Sequence, residues 1–450
     1  RHGSRPAQDQ LTPLIRAMAR AVDEAGPRVD VVVLGATGFT GRLACEYLAA
    51  RCPDGVSWAM AGRSQTKLEE IRQGLPESAR GVPLIVVDLK EEGQVRAMVQ
   101  RARVVANYAG TPFWDKALPV VAACADFGVH YVDITGETAF MRVSADSYDE
   151  KARQTKALIC HACGYDSIPS DLGALIVAQE MQRRHGVKCA KIRTYCGETQ
   201  GGFSGGTIHT LVDLRLKGNE VPGAEASNKP YGLDPPGGKG GVDKGDGGEV
   251  NILPHFDANE QVWTVPSVMA FINAKVVRKS NALAGYAYGD AVSYGEVMEV
   301  AVPKPLGAAV AYTISGAMAL GLALVSFGPT ARALLRWVLP APGEGPSRQM
   351  METGFFKHKT VALGEQADGS LPPARVVARV ESGDGGDPGY KCTARMSIEA
   401  ALCTILDRPR CCPSGGVVTP AFGLGQALVD RLNASGMKLW VEPAEPAPGS

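Results

Sequence analysis

The stretch Asp30-Val31-Val32-Val33-Leu34-Gly35-Ala36-Thr37-Gly38-Phe39-Thr40-Gly41 runs an apolar β-like segment straight into three glycines spaced Gly-x-x-Gly-x-x-Gly, ahead of a helical pattern from about Phe39 to Cys52. Glycines in such a turn let the main chain bend tightly and approach a pyrophosphate, whose charge then sits at the helix N-terminus. Gly35, Thr37, Gly38, Phe39, Thr40 and Gly41 are therefore candidate nucleotide-binding residues. The plainer reading is a glycine-tolerant turn in an α/β domain that holds no ligand. Context favours the nucleotide: a second candidate strand, Trp58 to Ala61, ends in Gly62-Arg63-Ser64, and a third, Leu84 to Val87, ends in Asp88.

A site for NAD usually carries an acidic side chain about 20 residues past the glycines, bonded to the ribose hydroxyls. Arg63 stands there instead, beside Ser64. A guanidinium pairs with a 2′-phosphate through two parallel hydrogen bonds, so the sequence favours NADPH over NADH. The alternative is a solvated arginine after a strand.

Outward from this turn, apolar runs alternate with helical stretches: Val31–Leu34, Trp58–Ala61, Leu84–Val87, Val104–Asn107, Tyr131–Ile134 and Ala157–His161. That alternation predicts an α/β fold with a Rossmann-type, doubly wound parallel sheet. Ligands cross the carboxyl ends of such strands, so the loops at Asn107 to Pro112 and Asp133 to Glu137 should line the nicotinamide and substrate end, with Asn107 and Gly110 touching cofactor.

With 450 residues, more than one core is expected, and 47 acidic against 47 basic residues leave no net field to recruit nucleic acid. Eleven cysteines lie scattered without repeated metal-like spacing, which points to a reducing, intracellular compartment. Cys160-His161-Ala162-Cys163 has a Cys-x-x-Cys spacing, but no second pair completes a zinc site, so no metal is expected. The chain begins at Arg1, and 11–25 could form an amphipathic helix whose Asp23 and Glu24 argue against an organelle presequence.

Beyond His161, the run Gly164 to Asp171 carries a proline suited to a helix's first turn, with apolar positions continuing to Met181. A strand at Lys191 to Cys196 and a glycine-rich turn from Gly201 to Thr207 begin a second domain. Pro222 to Gly248 reads as a flexible surface insertion. No charged side chain falls between Lys304 and Arg332, and 305–331 is long enough to cross a bilayer, although its glycines suit a buried helix equally. Arg332, Arg336 and Trp337 would suit a headgroup interface, which tilts the reading towards a membrane or lipid surface. Helices from Asp387 to about Cys403 and from Thr419 to near Gly436 should return to the nucleotide domain. The expected boundaries are an N-terminal extension, 1–28; a Rossmann domain, 29–165; an inserted α+β substrate or dimerisation domain, 166–385, which could make the chain a homodimer; C-terminal helices, 386–442; and a tail, 443–450.

Four blocks carry a family resemblance: Gly35 to Gly41 with Ala61-Gly62-Arg63; Tyr131-Val132-Asp133-Ile134-Thr135-Gly136-Glu137; His161 through Asp171; and Pro342-Gly343-Glu344-Gly345-Pro346-Ser347. With Pro388-Gly389-Tyr390 and Gly415 to Pro420 they span about 30 to 440. The chain resembles the saccharopine dehydrogenase-like oxidoreductases, within the branch of the bacterial trans-acting enoyl reductases and the eukaryotic lipid-droplet members. In one respect it departs: relatives often carry Gly-Pro-Tyr after the fourth strand, where this chain has Gly110-Thr111-Pro112-Phe113-Trp114-Asp115. That loop should face the nicotinamide, so the departure bears on substrate identity.

The resemblance implies an NADPH-dependent reductase of a lipophilic substrate, with hydride passing to a carbon such as the β-carbon of an enoyl thioester, in lipid metabolism such as glycolipid biosynthesis. Two alternatives stand beside it: a membrane- or lipid-droplet-associated nucleotide-binding protein without turnover, and a saccharopine-type amino-acid dehydrogenase. No arginine cluster at a motif position would clamp the several carboxylates of the latter's substrate. Tyr165 and Asp166 lie where the nucleotide domain hands over to the second, and His161 and Asp133 end neighbouring strands. Any of the four could face the reacting carbon, Tyr165 foremost as a phenol able to donate a proton. Equally, Asp166 could cap the following helix, His161 could be a satisfied core histidine, and Cys163 a small buried hydrophobe.

Overall fold

The computed structural model describes residues 28–110, 112–201, 221–236, 238, 253–303, 306–326, 345–366 and 373–444. The opening stretch is strand β1, Val29–Leu34, buried on both faces: Val31 and Val33 enter one apolar core, Val29, Val32 and Leu34 another. Two-sided burial is why Val31–Leu34 is continuously apolar rather than alternating. Around it stand β2 (Trp58–Gly62), β3 (Leu84–Val86), β4 (Ala102–Asn107), β5 (His130–Asp133) and β6 (Leu158–Cys160). All pair in parallel, in the order β3-β2-β1-β4-β5-β6, so the strand order reverses between β1 and β4. The doubly wound sheet is as expected from the sequence.

The second sheet is mixed. It contains β7 (Cys189–Gln200), β8 (His255–Asp257), β9 (Val262–Pro266), β10 (Ser293–Val300), β11 (Phe355–Gly364) and β12 (Arg375–Glu381). Only the β7/β10 pair is parallel; the other pairs are antiparallel. The C-terminal segment returns to both sheets and not only with helices: β13 (Gly416–Val418) adds a seventh parallel strand beside β6, and β14 (Lys438–Val441) pairs with β12. Gly416 explains why this strand escapes the apolar pattern, since only three residues carry the pairing.

One core joins the sheets. Helix α1 (Phe39–Arg51) follows the glycine turn, and α2 (Gln65–Gly74) follows β2. Further along are helices α3 (Thr138–Thr155) and α4 (Ile168–His185); α4 is buried from Ile168 to Ala178 and packs on β7, β11 and β12. Helix α5 (Ala270–Leu283) lies on α4 and β10, α6 is Leu306–Ser326, and α7 (Thr393–Leu406) packs on α1, β4 and β5.

Two of the segments singled out in the sequence are described in part. Of the insertion 222–248, only 222–236 and 238 are among the described residues, and there Ala224 and Leu233 are buried. Arg142 donates to the carbonyls of Gly232 and Asp234, and Arg278 to that of Pro230, so charge-assisted clamps hold a segment that composition alone reads as free. Of 305–331, residues 306–326 form α6, whose first turns pack on β9 and β10. Among the described residues no helix is long and apolar enough to cross a membrane. The 11–25 helix, the 202–207 turn and the tail beyond Ala444 lie outside the described residues.

Candidate functional site

Gly35 turns the chain out of β1 with φ of +83°, and a Cβ there would sit 2.5 Å from the Ala109 nitrogen at the end of β4. A Cβ on Gly41 would lie 2.1 Å from the Gly35 carbonyl oxygen. Both positions therefore require the absence of a side chain, and the β1 and β4 loops meet at the point where the strand order reverses. Gly38 is the N-cap of α1 and supplies no side-chain acceptor, which leaves the first-turn N–H groups for an anion. Thr37 and Thr40 flank this cap, and the Phe39 ring packs edge-on against Tyr390 at 5.1 Å, tying the cradle to the C-terminal segment. Arg63 is exposed just past β2. This cradle fits a dinucleotide phosphate, and Arg63 fits a 2′-phosphate.

Four other candidates shape backbone. The Ser64 hydroxyl caps α2 by accepting from Lys67 N, and Asp88 Oδ1 accepts from Lys90 N. Asn107 is fully buried: its Nδ2 donates to the Tyr131 hydroxyl at 2.9 Å and its Oδ1 accepts from Ala109 N at 2.8 Å. Gly110, with φ of +111°, turns the loop after β4; Thr111 is outside the described residues.

His161 and Asp133 stand together, in the core. Asp133 Oδ2 bonds His161 Nδ1 at 2.7 Å, and His161 Nε2 meets Ser144 Oγ of α3 at 2.8 Å. The order resembles a serine-nucleophile triad, but all three side chains are buried, with the imidazole between the Phe140 and Tyr131 rings. The group locks β5, β6 and α3 together. Asp133 Oδ1 also accepts from the N–H of Ala162, whose φ of +59° is unusual for a residue with a Cβ. That kink swings the chain from β6 towards the second sheet. Cys163 is fully buried behind it, its N–H on the Asp133 carbonyl.

Tyr165 and Asp166 emerge beyond the kink, both half-buried, between the two sheets. Tyr165 N donates to Thr393 Oγ1 at the start of α7, its ring packs on Phe356 of β11 at 4.9 Å, and its hydroxyl lies 3.1 Å from His358 Nε2. Burial, and after it the Cys196 thiol, pushes the phenol well above its ordinary range. Burial alone pushes Asp166 up to about 6 and His358 down to about 4, so the imidazole is neutral at pH 7. Cys196 of β7 stands opposite His358 in the strand register. Nearby, the buried Glu296 accepts from Ser170 Oγ and Ser267 Oγ, each at 2.7 Å, and from Asn273 Nδ2 at 2.9 Å.

Sequence reasoning missed His358, Cys196 and Glu296, which come from strands of the second sheet far along the chain. The alternation Phe356, His358, Thr360 on one face of a strand was the available signal. Glu137 was missed too: its two carboxylate oxygens accept from the N–H groups of Phe113 and Trp114, fastening the loop after β4. Burial pushes Glu137 up to about 7 against the pull of those two N–H groups. Among the described residues, no group of three or more His, Cys, Asp or Glu side chains could hold a metal ion.

Residues 31–160 match the family model of the saccharopine dehydrogenase NADP-binding domain. A putative trans-acting enoyl reductase of Mycobacterium tuberculosis is 36% identical over 428 residues, 92% of this chain and 98% of the relative. The trans-acting enoyl reductase of Mycobacterium bovis is 34% identical over 91% of this chain and 96% of its own length, and that of Mycobacterium leprae 33% over the same shares. Among solved structures, apo saccharopine dehydrogenase (L-Glu forming) from Saccharomyces cerevisiae aligns over 92% of this chain and 100% of its own, at 14% identity and a TM-score of 0.49.

Proposed function

This chain belongs to the saccharopine dehydrogenase-like oxidoreductases, NADP(H)-dependent enzymes, and from that membership we propose that it reduces an uncharged, lipophilic enoyl thioester or a related lipid. The observation that carries the substrate class is the likeness to trans-acting enoyl reductases over 92% of the chain, and the groups beside Tyr165 agree with it. Beside Tyr165 stand the Cys196 thiol, the Thr199 hydroxyl and two carboxyls, Glu296 and Asp166. Two carboxyls this close to Tyr165 disfavour a substrate that carries several carboxylates of its own, as saccharopine-type chemistry requires.

When bound, NADPH supplies the hydride that adds to the β-carbon of the substrate. The residues have the remaining tasks. As hydride arrives, the electron pair of the carbon–carbon double bond moves towards the thioester oxygen, where the Tyr165 O–H serves as hydrogen-bond donor. The Asp166 carboxyl, held near 6, serves as a proton reserve for the α-carbon, so that one hydride and one proton are added in all. The Asp133–His161–Ser144 group and the Ala162 kink hold Tyr165 in the cleft. Glu137 fixes the loop beside the nicotinamide position.

Helix α6 supports a lipid surface as the place of encounter. Leu306, Tyr312 and Leu320 are each about 60% exposed on a helix without charge, while Gly307 lies against Trp263. Flotation with phosphatidylcholine vesicles should recover the full chain and lose the Leu320→Arg variant; equal recovery of both would remove this part of the reading.

The test of the substrate class is NADPH consumption by the full chain with trans-2-enoyl-coenzyme A thioesters of rising chain length, beside NADP+ with saccharopine. Turnover of the longer thioesters is expected. Turnover of saccharopine alone would overturn the proposal.

A further inference from the structure

The Tyr165–His358 contact can be made in two ways, and they differ in where the phenolic hydrogen points. If His358 carries its proton on Nδ1, Nε2 accepts from the Tyr165 hydroxyl, and the phenol has spent its only hydrogen on the protein. If the proton is on Nε2, the imidazole donates to Tyr165 Oη, and the phenolic hydrogen is free to turn into the cleft.

His358 Nδ1 decides between them. The residue is 4% exposed on the inward face of β11, and Nδ1 has no hydrogen-bond partner among the described residues. The first arrangement therefore buries an N–H with nothing to receive it, whereas the second leaves only a bare lone pair, and orphaned buried N–H groups are the rarer of the two. Packing prevents easy reorientation of the ring, since His358 lies against Phe356 at 5.1 Å and Tyr165 at 5.5 Å between ring centres. Thr199, the other hydroxyl that acts on Tyr165, gives its own hydrogen to the Gly197 carbonyl at 3.2 Å, so it does not compete as the donor and faces the phenol as an acceptor that a substrate oxygen displaces. The buried ring stays neutral at pH 7, so it cannot donate from both nitrogens.

We infer that His358 is a positioning residue held as the Nε2–H tautomer: it donates to Tyr165 Oη and thereby directs the tyrosine's own hydrogen at the substrate oxygen. This inference deepens the reading of Tyr165 as donor and rests on it. Nothing is oxidised or transferred at His358; its proton remains on Nε2 throughout, and the hydrogen bond it donates strengthens the phenol as an acid by stabilising charge that develops on Oη.

The first arm of the test needs no substrate. In the full chain labelled with nitrogen-15 histidine, the His358 resonances are identified by their loss in His358→Gln. A protonated Nε2 beside a bare Nδ1 is expected, and a proton on Nδ1 would overturn the inference. The second arm uses a trans-2-enoyl-coenzyme A thioester that the chain turns over. Tyr165→Phe should lower kcat by about 100-fold or more at unchanged NADPH affinity. His358→Leu should lower kcat at least about tenfold with KM little changed, and His358→Gln, whose side-chain amide can donate from near the Nε2 position, should recover most of that loss. His358→Asn, whose amide stands nearer to Nδ1, should not. Should the leucine variant fail to fold, the contrast between glutamine and asparagine carries the decision. Full activity in Tyr165→Phe would overturn the reading of Tyr165, while an active His358→Leu beside an inactive Tyr165→Phe would overturn the inference alone.

Discussion

Glu137 accepts from the backbone N–H of Phe113 at 2.8 Å, and through this bond the turn after β5 holds the loop after β4. The second carboxylate oxygen takes Trp114 N at 3.0 Å, so both bonds fall on the same short segment. Each bond from an amide to such a buried carboxyl is worth about 1 kcal/mol. Glu137→Ala should therefore free Phe113 and Trp114: hydrogen exchange should show their amides losing protection while β1 and β4 keep theirs. Unchanged protection would mean that packing of Phe113 on Phe140, at 6.0 Å, is sufficient to hold the loop.

Asp171 predicts a pH dependence of stability. Its carboxylate is fully buried at the start of α4, accepting from Ser280 Oγ and Ala421 N, and burial pushes it from an ordinary 3.8 up to about 7. The native state thus binds this proton more tightly than the unfolded chain, and the contribution to stability falls as pH rises from about 4 to about 7. His130 and His358, both lowered to about 4 chiefly by burial, act in the opposite sense between about 4 and 6.5. Comparing wild type with Asp171→Asn by urea unfolding cancels the histidines. The stability of wild type relative to the variant should decline across that window, and a flat difference would refute the assignment.

Arg63 and Gly41 test the two ends of the cofactor cradle. Arg63→Ala should weaken NADPH binding at least about tenfold in calorimetry and leave NADH little affected, because only the 2′-phosphate pairs with the guanidinium. Gly41→Ala should weaken both, since its Cβ would stand 2.1 Å from the Gly35 carbonyl oxygen and must displace the turn. Equal loss of both nucleotides in Arg63→Ala would remove the phosphate contact.

His161→Ala should behave as a core mutation. It leaves Asp133 and Ser144 without their shared partner in a dry site, at a cost of about 2–4 kcal/mol, read as a lower urea midpoint. A serine-directed fluorophosphonate should not label Ser144, which has no solvent exposure. Labelling at Ser144 would show that the buried group opens to substrate.

The parallel sheet was legible because each of its first six strands is centred on a short apolar stretch, as two-sided burial demands, and because Gly35 and Gly41 answer local steric requirements. Arg63 could be read for the same reason: its place at the end of β2 follows from strand and turn alone. Ser64 and Asn107 were legible as positions but not as roles, since whether a hydroxyl or amide faces a ligand or its own backbone depends on which N–H groups the fold leaves unpaired.

His161 and Asp133 show where local reading stops. Two strand ends next to each other in a parallel sheet suggest a shared cleft, and only the packing of α3 over them turns the pair inward onto Ser144. Residues 221–236 are a second case, polar in composition yet held by Arg142 and Arg278 from helices distant in sequence.

By itself, then, the sequence determined the doubly wound sheet and the glycine turn at its switch point, because each rests on periodicity or chain geometry. Tertiary structure decided which residues meet at the cleft. Tyr165 and His358 are 193 positions apart, and their contact follows from the strained turn at Ala162, the strand register that sets His358 opposite Cys196, and the single core that presses the two sheets together. Such long-range contacts depend on the summed packing of many segments, which no local pattern encodes.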